Sequence, residues 1–245
     1  MKTIGIIAAL PEEANQIIKH YPEKKHSKLQ GFDLFRFSTD TYHVSLIIGG
    51  MGPKNAYNCA KAIIEAENPE AILNIGFCGA ITENLRIGDI ILGERIFSYS
   101  NGIFNEALTS KKFGEAFSEK HIQACSGSFI SSSEVVDKHE ILKIIPKEIL
   151  NPVLEMETAA VAEVCEKFNV PLMAIRSVSD QATEEIDFKI SDITDENYKI
   201  KISKVILALI RKPPLLMQFI RLAKNSKKAA TTLKDTVTKI IEQTP

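Results

Sequence analysis

Short apolar runs rich in β-branched residues alternate along this chain with amphipathic helical patterns. The first run, Thr3–Ala9, is followed at once by Pro11 and a helical pattern with apolar positions at Ala14, Ile17 and Ile18. The same order of strand, turn and helix returns through most of the chain. It predicts parallel strands joined by helical crossovers that cover both faces of a sheet. We therefore expect an α/β fold: a single three-layer α/β/α domain around a central, mostly parallel, mixed sheet.

The remaining elements follow from the same two periodicities. Further strands are expected over residues 32–38, 42–48, 71–75, 87–95, 122–133, 153–157 and 170–178. Further helices are expected through residues 56–64 and 158–168. Residues 98–120 are polar, contain scattered glycines and lack a period, so they predict an irregular surface excursion or lid.

The composition is that of an ordinary globular protein, with 44% hydrophobic and 25% charged residues among 245. It excludes disordered, collagen-like and disulfide-stapled proteins, and a core of this size needs no metal or disulfide support. The four cysteines lie far apart, without CxxC or Cys/His clusters, which indicates reduced thiols. No stretch predicts a signal peptide or a membrane span of about 18 apolar residues. We expect a cytoplasmic protein without a metal or a cofactor.

The charge is distributed unevenly along the chain. Residues 1–198 carry 19 basic and 29 acidic side chains, whereas residues 199–234 carry ten basic side chains and no acidic one. This asymmetry divides the chain into an acidic domain over 1–198 and a basic, amphipathic helical extension over 199–245. A basic segment of this kind indicates an anionic partner.

Polar and glycine-rich residues cluster where the predicted strands end. Sheets of this type bind ligands outside the carboxyl ends of their strands, so these residues should meet in one crevice. They are Glu12 and Glu13, the turns Gly49–Gly52 and Gly76–Gly79, Glu155–Glu157, and Arg176 with Asp180. Each has a plainer explanation, because acids favour helix starts and glycines allow close packing. Only their conjunction indicates a ligand site.

Five motifs, in order and spacing, resemble the nucleoside phosphorylase/nucleosidase superfamily. They are GIIAALPEE near the start, NIGFCGA from Asn74, GD at Gly88, EMETAAVAEVC from Glu155 and RSVSD from Arg176. The resemblance covers residues 1–195 and is strongest to the branch that contains the methylthioadenosine/S-adenosylhomocysteine nucleosidases. It implies a homodimeric enzyme that cleaves the N-ribosidic bond of a purine nucleoside.

The resemblance also implies a role for each matching residue. Asp180 corresponds to a general acid that stays protonated and acts at purine N7. Glu13 corresponds to the group that orients and deprotonates the attacking water, helped by Arg176, and Glu157 grips the ribose hydroxyls above Met156. Further substrate contacts are implied at Glu155, Phe77, Cys78, Gly79, Gly50, Met51, Val135 and Val136.

The residues favour water over phosphate as the nucleophile. The first turn, Ala9–Glu13, holds two carboxylates and no arginine, and Phe77 stands where phosphorolytic relatives carry a hydroxyl. Carboxylates repel a phosphate dianion, and an aromatic ring offers it no hydrogen-bond donor. We therefore expect hydrolysis, with a phosphate-dependent purine nucleoside phosphorylase as the alternative.

The C-terminal segment has two interpretations. Its helical patterns over 200–210 and 215–233 can dock their apolar side on the core, or residues 199–234 can contact an anionic membrane surface, at about 1 kcal/mol per basic residue near the lipid. With GGMGPKNA from Gly49 and LRIGD from Leu85, this segment resembles the hopanoid-associated branch of adenosylhopane nucleosidases. That resemblance implies a lipid-linked substrate in hopanoid biosynthesis and a peripheral position at the inner face of the membrane.

Other functions remain open at this level. A methylthioadenosine/S-adenosylhomocysteine nucleosidase would perform the same chemistry on a smaller 5′ substituent. A non-catalytic nucleotide-binding domain would have no need of three acids at Glu13, Glu157 and Asp180. A dinucleotide site at Gly50–Gly52 is disfavoured because the first strand–turn–helix lacks glycines and no acid follows the glycine turn by about 20 residues in the expected strand context. Nucleic-acid binding is not expected, because the basic segment lacks interleaved aromatic residues.

Overall fold

A ten-stranded mixed sheet forms the centre of the computed structural model, which describes residues 1–109, 123–134, 136–184 and 215–242. Its strands are β1 (Lys2–Ala8), β2 (Lys25–Leu29), β3 (Phe32–Ser38), β4 (Tyr42–Ile48), β5 (Ala71–Ala80), β6 (Ile90–Ser100), β7 (Ile103–Thr109), β8 (Cys125–Ser132), β9 (Pro152–Glu155) and β10 (Leu172–Asp180). The helices of the described residues are α1 (Pro11–His20), α2 (Pro53–Glu67), α3 (Lys138–Ile144), α4 (Thr158–Lys167) and α5 (Leu215–Glu242). The predicted α/β class is confirmed.

The strand order is β10-β6-β8-β9-β5-β1-β4-β3-β2, with β7 on β6 and a further pairing between β10 and β5. The central strands β4, β1, β5 and β10 run parallel. Antiparallel pairing occurs at β2–β3–β4, β6–β7, β6–β10 and β5–β9, so the sheet is less parallel than the sequence predicts. Because the central strands share one direction, their carboxyl ends lie along one edge.

Helices cover both faces of the sheet and complete the predicted three layers. On one face α2 and α4 pack against each other over a buried cluster that includes Ile63, Phe129 and Val161. On the other face α1 packs against α5 over a second cluster that includes Ile6 and Val237. Burial of such side chains removes apolar surface from water at about 25 cal/mol per Å², which is the main force that holds the layers together.

Helix α5 belongs to the second of these layers. Its C-terminal half buries Ala229, Ala230, Leu233, Val237, Ile240 and Ile241. The hydroxyls of Thr232 and Ser177 lie 3.0 Å apart and join this half to β10. The docking interpretation of the C-terminal segment therefore holds for this half, whereas the boundary at residue 198 stays a prediction because residues 185–214 lie outside the described ones. None of the described helices, α5 included, is long and apolar enough to cross a membrane.

Leu233→Ala should destabilise the protein by about 2–5 kcal/mol, because it leaves a cavity in the layer between α5 and the sheet. Leu233 is fully buried, whereas Leu216 on the same helix is 50% exposed. Leu216→Ala is thus the matched control and should change the free energy of unfolding by less than about 0.5 kcal/mol. Urea denaturation followed by circular dichroism measures both. Equal, small effects would show that the C-terminal half of α5 is dispensable for the fold.

Two local predictions were wrong, and one strand was not predicted. Residues 98–109 are not an irregular excursion but part of a hairpin of β6 and β7, whose turn places Asn101 and Gly102 at φ +50° and +81°. An Asn-Gly pair between strands favours this geometry. Gly76–Gly79 is not a turn, since β5 continues through it to Ala80. Strand β2 went unpredicted because it is a largely exposed edge strand without apolar alternation.

Candidate active site

Glu13 lies in the first turn of α1, and its carboxylate accepts three backbone hydrogen bonds. The amides of Ala9 and Leu10 donate at 2.9 and 2.8 Å, and the amide of Phe77 on β5 donates at 2.9 Å. The carboxylate therefore caps its own helix, which is the purely structural role expected of an acid at a helix start. It also connects that helix to the C-terminal part of β5 through Phe77. The neighbouring Glu12 is exposed, so only Glu13 is placed at the edge of the sheet.

Burial raises the pKa of Glu13 above its ordinary value, although the three amide donors and the charge of Arg176 oppose the shift. The side chain is only 5% exposed. A carboxylate whose pKa is raised toward neutrality is a better proton acceptor than an ordinary glutamate. Glu13 has the properties of a general base.

Glu157 directly precedes α4, yet its side chain does not cap that helix. Its Oε1 accepts a hydrogen bond from the amide of Gly52 at 2.8 Å, and its Oε2 from the amide of Met156 at 3.2 Å. Gly52 and Gly50 have φ of +91° and +86°, which glycine adopts far more readily than other residues. The amide of Gly50 donates to the carbonyl of Ala9, so the glycine turn links Glu157 to the turn before α1.

Arg176 on β10 is 1% exposed and interacts electrostatically with Glu13 and Glu157. Its Nη2 donates to Glu155 Oε2 and Thr158 Oγ1 at 2.7 Å and to Asn74 Oδ1 at 2.8 Å. Its Nη1 donates to the backbone carbonyl of Asn74 at 3.1 Å, and its Nε has no acceptor among the described residues. The guanidinium holds the buried side chains of β5 and α4 in place.

Glu155 is the carboxylate bound by that guanidinium. Its Oε2 also accepts the amides of Glu157 and Thr158 at 3.0 and 2.8 Å, and the hydroxyl of Ser131 donates to its Oε1. Burial alone would raise the pKa of Glu155, but the charge of Arg176 and the hydroxyl donors lower it. The resemblance assigns Glu155 to the substrate, whereas here its oxygens are bound by protein donors and cap α4.

Three carboxylates thus interact with one guanidinium: Glu155 through a hydrogen bond, and Glu13 and Glu157 through their charge. Burial, and then the charge of Glu155, raises the pKa of Glu157 to about 8, against the hydrogen bond from Gly52. Burial alone would lower the pKa of Arg176, but Glu155, Glu13 and Glu157 together raise it. The cluster has more negative than positive charge whenever more than one of its carboxylates is ionised.

Glu157→Gln should make the protein's stability less sensitive to pH between about 4.5 and 8. A folded-state pKa near 8 means that the folded protein keeps a proton which the unfolded chain loses above about pH 4.5, so stability falls as pH rises through this window. Glutamine has no such proton. The stability of the variant relative to wild type should rise by at least about 1.4 kcal/mol between about pH 5 and pH 8, the equivalent of one pKa unit. A difference that stays constant in urea titrations across this range would contradict the prediction.

Asp180 ends β10 beside Gly79 of β5. The ammonium of Lys138 forms an ion pair with its Oδ2 and donates to the carbonyl of Gln181 at 2.7 Å, and Ser179 Oγ donates to its Oδ1 at 2.9 Å. The resemblance implies a general acid at this position, and the structure places the ammonium of Lys138 against its carboxylate. Arg176 pairs with Gly76 of β5, and Asp180 pairs with Gly79. The two residues are therefore three positions apart along the sheet, which is about 10 Å.

Gly79 has no room for a side chain. A Cβ atom at this position would lie 2.7 Å from Asp180 Oδ2 and 3.0 Å from Lys138 Cε. Phe77 is partly buried and contributes its amide to Glu13. Cys78 is buried in the cluster beneath α2 and α4, and burial raises the pKa of its thiol. The Cys78 side chain therefore serves packing rather than chemistry.

Of the remaining predicted contacts, Met156, Met51 and Val136 are among the described residues. Met156 is partly buried and gives its amide to Glu157. The carbonyl of Met51 accepts a hydrogen bond from Asn55 at 2.9 Å within the glycine turn. Val136 packs on a small cluster at the end of β8, and Val135 lies outside the described residues.

Sequence reasoning missed four polar residues of the site: Asn74, Ser131, Lys138 and Thr158. Asn74 could have been predicted as a site residue, because it is a polar residue within an apolar strand and a buried side-chain amide requires hydrogen-bond partners. Lys138 could not have been predicted, since 42 residues separate it from Asp180. Among the described residues no cluster of three or more His, Cys, Asp or Glu side chains has the geometry of a metal site.

Two comparisons of the sequence show which known proteins this chain is similar to. The model of the Phosphorylase superfamily matches residues 3–211. A 5′-methylthioadenosine/S-adenosylhomocysteine nucleosidase of Buchnera aphidicola is 30% identical over 231 residues, which are 83% of this chain and 97% of that one. The protein of the same name from Listeria welshimeri is 28% identical over 207 residues, 75% of this chain and 88% of that one.

Solved structures show the same fold. The 5′-methylthioadenosine/S-adenosylhomocysteine nucleosidase of Neisseria meningitidis, in complex with methylthio-immucillin-A, matches with a TM-score of 0.69 at 20% identity over 99% of both chains. The futalosine hydrolase of Helicobacter pylori matches with a TM-score of 0.66 at 19% identity over 97% of this chain and 98% of that one. These coverages include most of α5, so the helix is part of the shared fold. The motifs, the family model and the fold agree, and the chain belongs to the phosphorylase superfamily.

Proposed function

We propose that this chain is a hydrolase that releases adenine from a 5′-substituted adenosine. The observation that carries the proposal is the cluster of Glu13, Glu157 and Arg176, which three separate elements bring to the carboxyl edge of the central strands. Cleavage of an N-ribosidic bond needs a positioned nucleophile, stabilisation of a ribosyl cation and activation of the leaving purine. The names of the sequence relatives support adenine nucleosides as the substrate class.

Each member of the cluster has a step in this reaction. Glu13 takes a proton from the attacking water, for which its raised pKa suits it. Glu157 binds the ribose hydroxyls beside Met156. In its ionised form, reached as pH rises through its pKa of about 8, it stabilises the cation that develops on the sugar. Arg176 acts as a positioning residue, since it fixes Glu155 and thereby the start of α4 on which Glu157 depends.

The charge of the cluster supports water over phosphate. Phosphate recognition uses arginine or lysine groups whose donors are free to form bidentate contacts. Both terminal nitrogens of Arg176 are hydrogen-bonded to protein, and three carboxylates lie around it. A phosphate dianion would therefore find no free terminal nitrogen on this guanidinium.

Mass spectrometry of the sugar product tests this proposal. Purified protein is mixed with 5′-methylthioadenosine, S-adenosylhomocysteine, adenosylhopane or inosine, with and without phosphate. We expect free adenine and the hydrolysed sugar at rates independent of phosphate. The same assay compares Glu13→Gln with Glu12→Gln. The second variant is the matched control, because Glu12 is the exposed acid of the same turn. Phosphorylated sugar as the main product would assign the chain to the phosphorolytic members, and no cleavage in any mixture would refute the proposal.

A further proposal concerns the 5′ substituent, which we infer to be a polycyclic lipid, as in adenosylhopane. The N-terminal half of α5 exposes Leu216, Met217 and Ile220 at 50%, 71% and 54%. Lys224 and Lys227 follow on the same exposed side of the helix. Exposed apolar side chains next to basic ones are typical of a surface that contacts anionic lipid.

The position of this half of α5 supports the lipid proposal. Asn225 Nδ2 donates to Glu184 Oε1 at 3.1 Å, and Arg221 Nε lies 3.5 Å from the same oxygen. Glu184 follows Asp180 by four residues, so these contacts join this half of α5 to the segment that leaves the site after β10. The smaller 5′-thio substituents of the named relatives are the second candidate.

The substrate panel and a liposome assay separate these two candidates. We expect adenosylhopane to be cleaved fastest, and the protein to sediment with anionic but not neutral vesicles. Lys227→Glu with Lys228→Glu should reduce sedimentation, whereas Lys239→Glu, on an exposed position near the other end of α5, is the control. Fast turnover of 5′-methylthioadenosine with the lipid nucleoside untouched would reject the lipid substrate.

We also propose that the chain acts as a homodimer in the cytoplasm and has no nucleic-acid partner. The family resemblance supports the dimer. Light scattering after gel filtration should give twice the mass of 27.2 kDa, and the monomer mass at micromolar concentration would refute it.

A further inference from the structure

Asn74 is a polar residue in the middle of the apolar strand β5, and its side chain joins three other elements. It is 1% exposed. Its Nδ2 donates to the carbonyl of Ile7 on β1 at 3.3 Å. Its Oδ1 accepts hydrogen bonds from Arg176 Nη2 on β10 at 2.8 Å and from Thr158 Oγ1 on α4 at 3.0 Å. A buried amide is costly to leave unpaired, and here both of its polar atoms are bound.

The same residue binds the guanidinium of Arg176 at both terminal nitrogens. The backbone carbonyl of Asn74 accepts a hydrogen bond from Nη1 at 3.1 Å, while the side-chain oxygen accepts one from Nη2. Two acceptors on one strand fix the rotation of the planar guanidinium. Its Nη2 also donates to Glu155, whose Oε2 accepts the amide of Glu157. A chain of direct contacts therefore runs from Asn74 through the guanidinium and Glu155 to the proposed ribose-binding residue.

The amide of Asn74 provides its acceptor without a charge. Three carboxylates already interact with the guanidinium: Glu155, Glu13 and Glu157. An aspartate at residue 74 would accept the same hydrogen bond but would add a fourth carboxylate, and a nearby like charge raises the pKa of a carboxyl. Burial already raises the pKa of Glu13, and burial together with the charge of Glu155 raises that of Glu157 to about 8. A neutral acceptor avoids a further rise, which would keep both groups protonated over more of the pH range.

We propose that Asn74 is a positioning residue of the hydrolytic site, which orients Arg176 through a neutral acceptor; this inference rests on the proposed adenine release. Asn74 acts through Arg176 rather than on the substrate, because its side chain is buried and hydrogen-bonded to protein. Without its side-chain oxygen the guanidinium can rotate, and Glu155 and Glu157 shift with it. A displacement of about 1 Å in a catalytic group can lower the rate by about 10²-fold.

Two substitutions at residue 74 test this role, with 5′-methylthioadenosine, S-adenosylhomocysteine and adenosylhopane as probes. Asn74→Leu keeps the approximate size but has no acceptor, so kcat/KM for adenine release should fall by about 10–10²-fold. Asn74→Asp keeps the acceptor and should recover most of this loss at high pH. The acid limb of its kcat/KM profile should move up by about one pH unit, because the added charge raises the pKa values of Glu13 and Glu157.

Ser45→Ala is the matched control for loss of a buried polar contact. Ser45 on β4 is 3% exposed, and its hydroxyl donates to Glu67 at 2.6 Å. This variant should lower the free energy of unfolding but leave kcat/KM and the acid limb at their wild-type values. Urea denaturation followed by circular dichroism shows which variants are folded at the assay temperature. If Asn74→Leu does not fold, the pH profile of Asn74→Asp decides the question.

The inference is overturned by either of two results in active protein. One is a folded Asn74→Leu variant whose kcat/KM stays within about threefold of wild type, a difference too small for a displaced catalytic group. The other is an acid limb of Asn74→Asp at the wild-type pH. Wild type that releases no adenine from any probe would refute the proposed function, and this inference with it.

Discussion

Arg176→Met is expected to lower the free energy of unfolding by about 3–5 kcal/mol, because removing one partner of a buried ion pair leaves the other charge uncompensated. Glu155, at 7% exposed, would lose its counter-charge, and Asn74 and Thr158 would lose a shared donor. Methionine approximates the length of the arginine stem and avoids a large cavity. The measurement is urea denaturation near neutral pH.

The same variant should lose at least about 10²-fold in turnover, since small displacements of a catalytic group have effects of this size. Glu155 holds the amide of Glu157, so the loss passes from the ion pair to the ribose-binding carboxylate. The double variant Arg176→Met with Glu155→Gln removes both charges and should recover much of the stability but little of the activity. A single variant within about 1 kcal/mol of wild type would show that the guanidinium does not support the cluster.

The centre of the fold could be predicted because its signals are local. Strands β1, β4, β5 and β10 are apolar runs that lie close to their predicted positions, although β5 continues five residues beyond its predicted end. The periphery could not be predicted equally well. Strand β2 depends on pairing with β3 rather than on its own pattern, and the C-terminal half of α5 is fixed by burial against α1 and the sheet.

The candidate site divides in a similar way. The residue types at strand ends indicate where acidic side chains cluster. They do not distinguish Glu12 from Glu13, because only the hydrogen bonds from Leu10 and Phe77 show that Glu13 is the buried one. The ion pair of Asp180 with Lys138 depends on how α3 returns to β10, and no local pattern encodes that return. The partners of a charged group therefore cannot be predicted from motifs when those partners are distant in the sequence.

Glu13→Gln should reduce kcat for adenine release by about 10²–10⁴-fold, the range for loss of a general base. Glutamine keeps the size of the side chain but cannot take a proton from water. It also faces three amide donors with only one acceptor oxygen, so one or two of the amides of Ala9, Leu10 and Phe77 lose their partner. An unpaired buried donor costs about 1–3 kcal/mol, which denaturation should detect.

Gly76→Ala separates the chemistry of Glu13 from its effect on stability. A Cβ atom at residue 76 would lie 2.8 Å from Glu13 Oε1 and 3.4 Å from Arg176 Cζ, so the carboxylate has to move although its chemistry is intact. If position matters as much as basicity, this variant should lose about 10²-fold in kcat while its pH profile keeps the limb that reports Glu13. Glu13→Gln should abolish that limb. Wild-type kcat in both variants would remove Glu13 from the reaction, since neither its proton affinity nor its place would then matter.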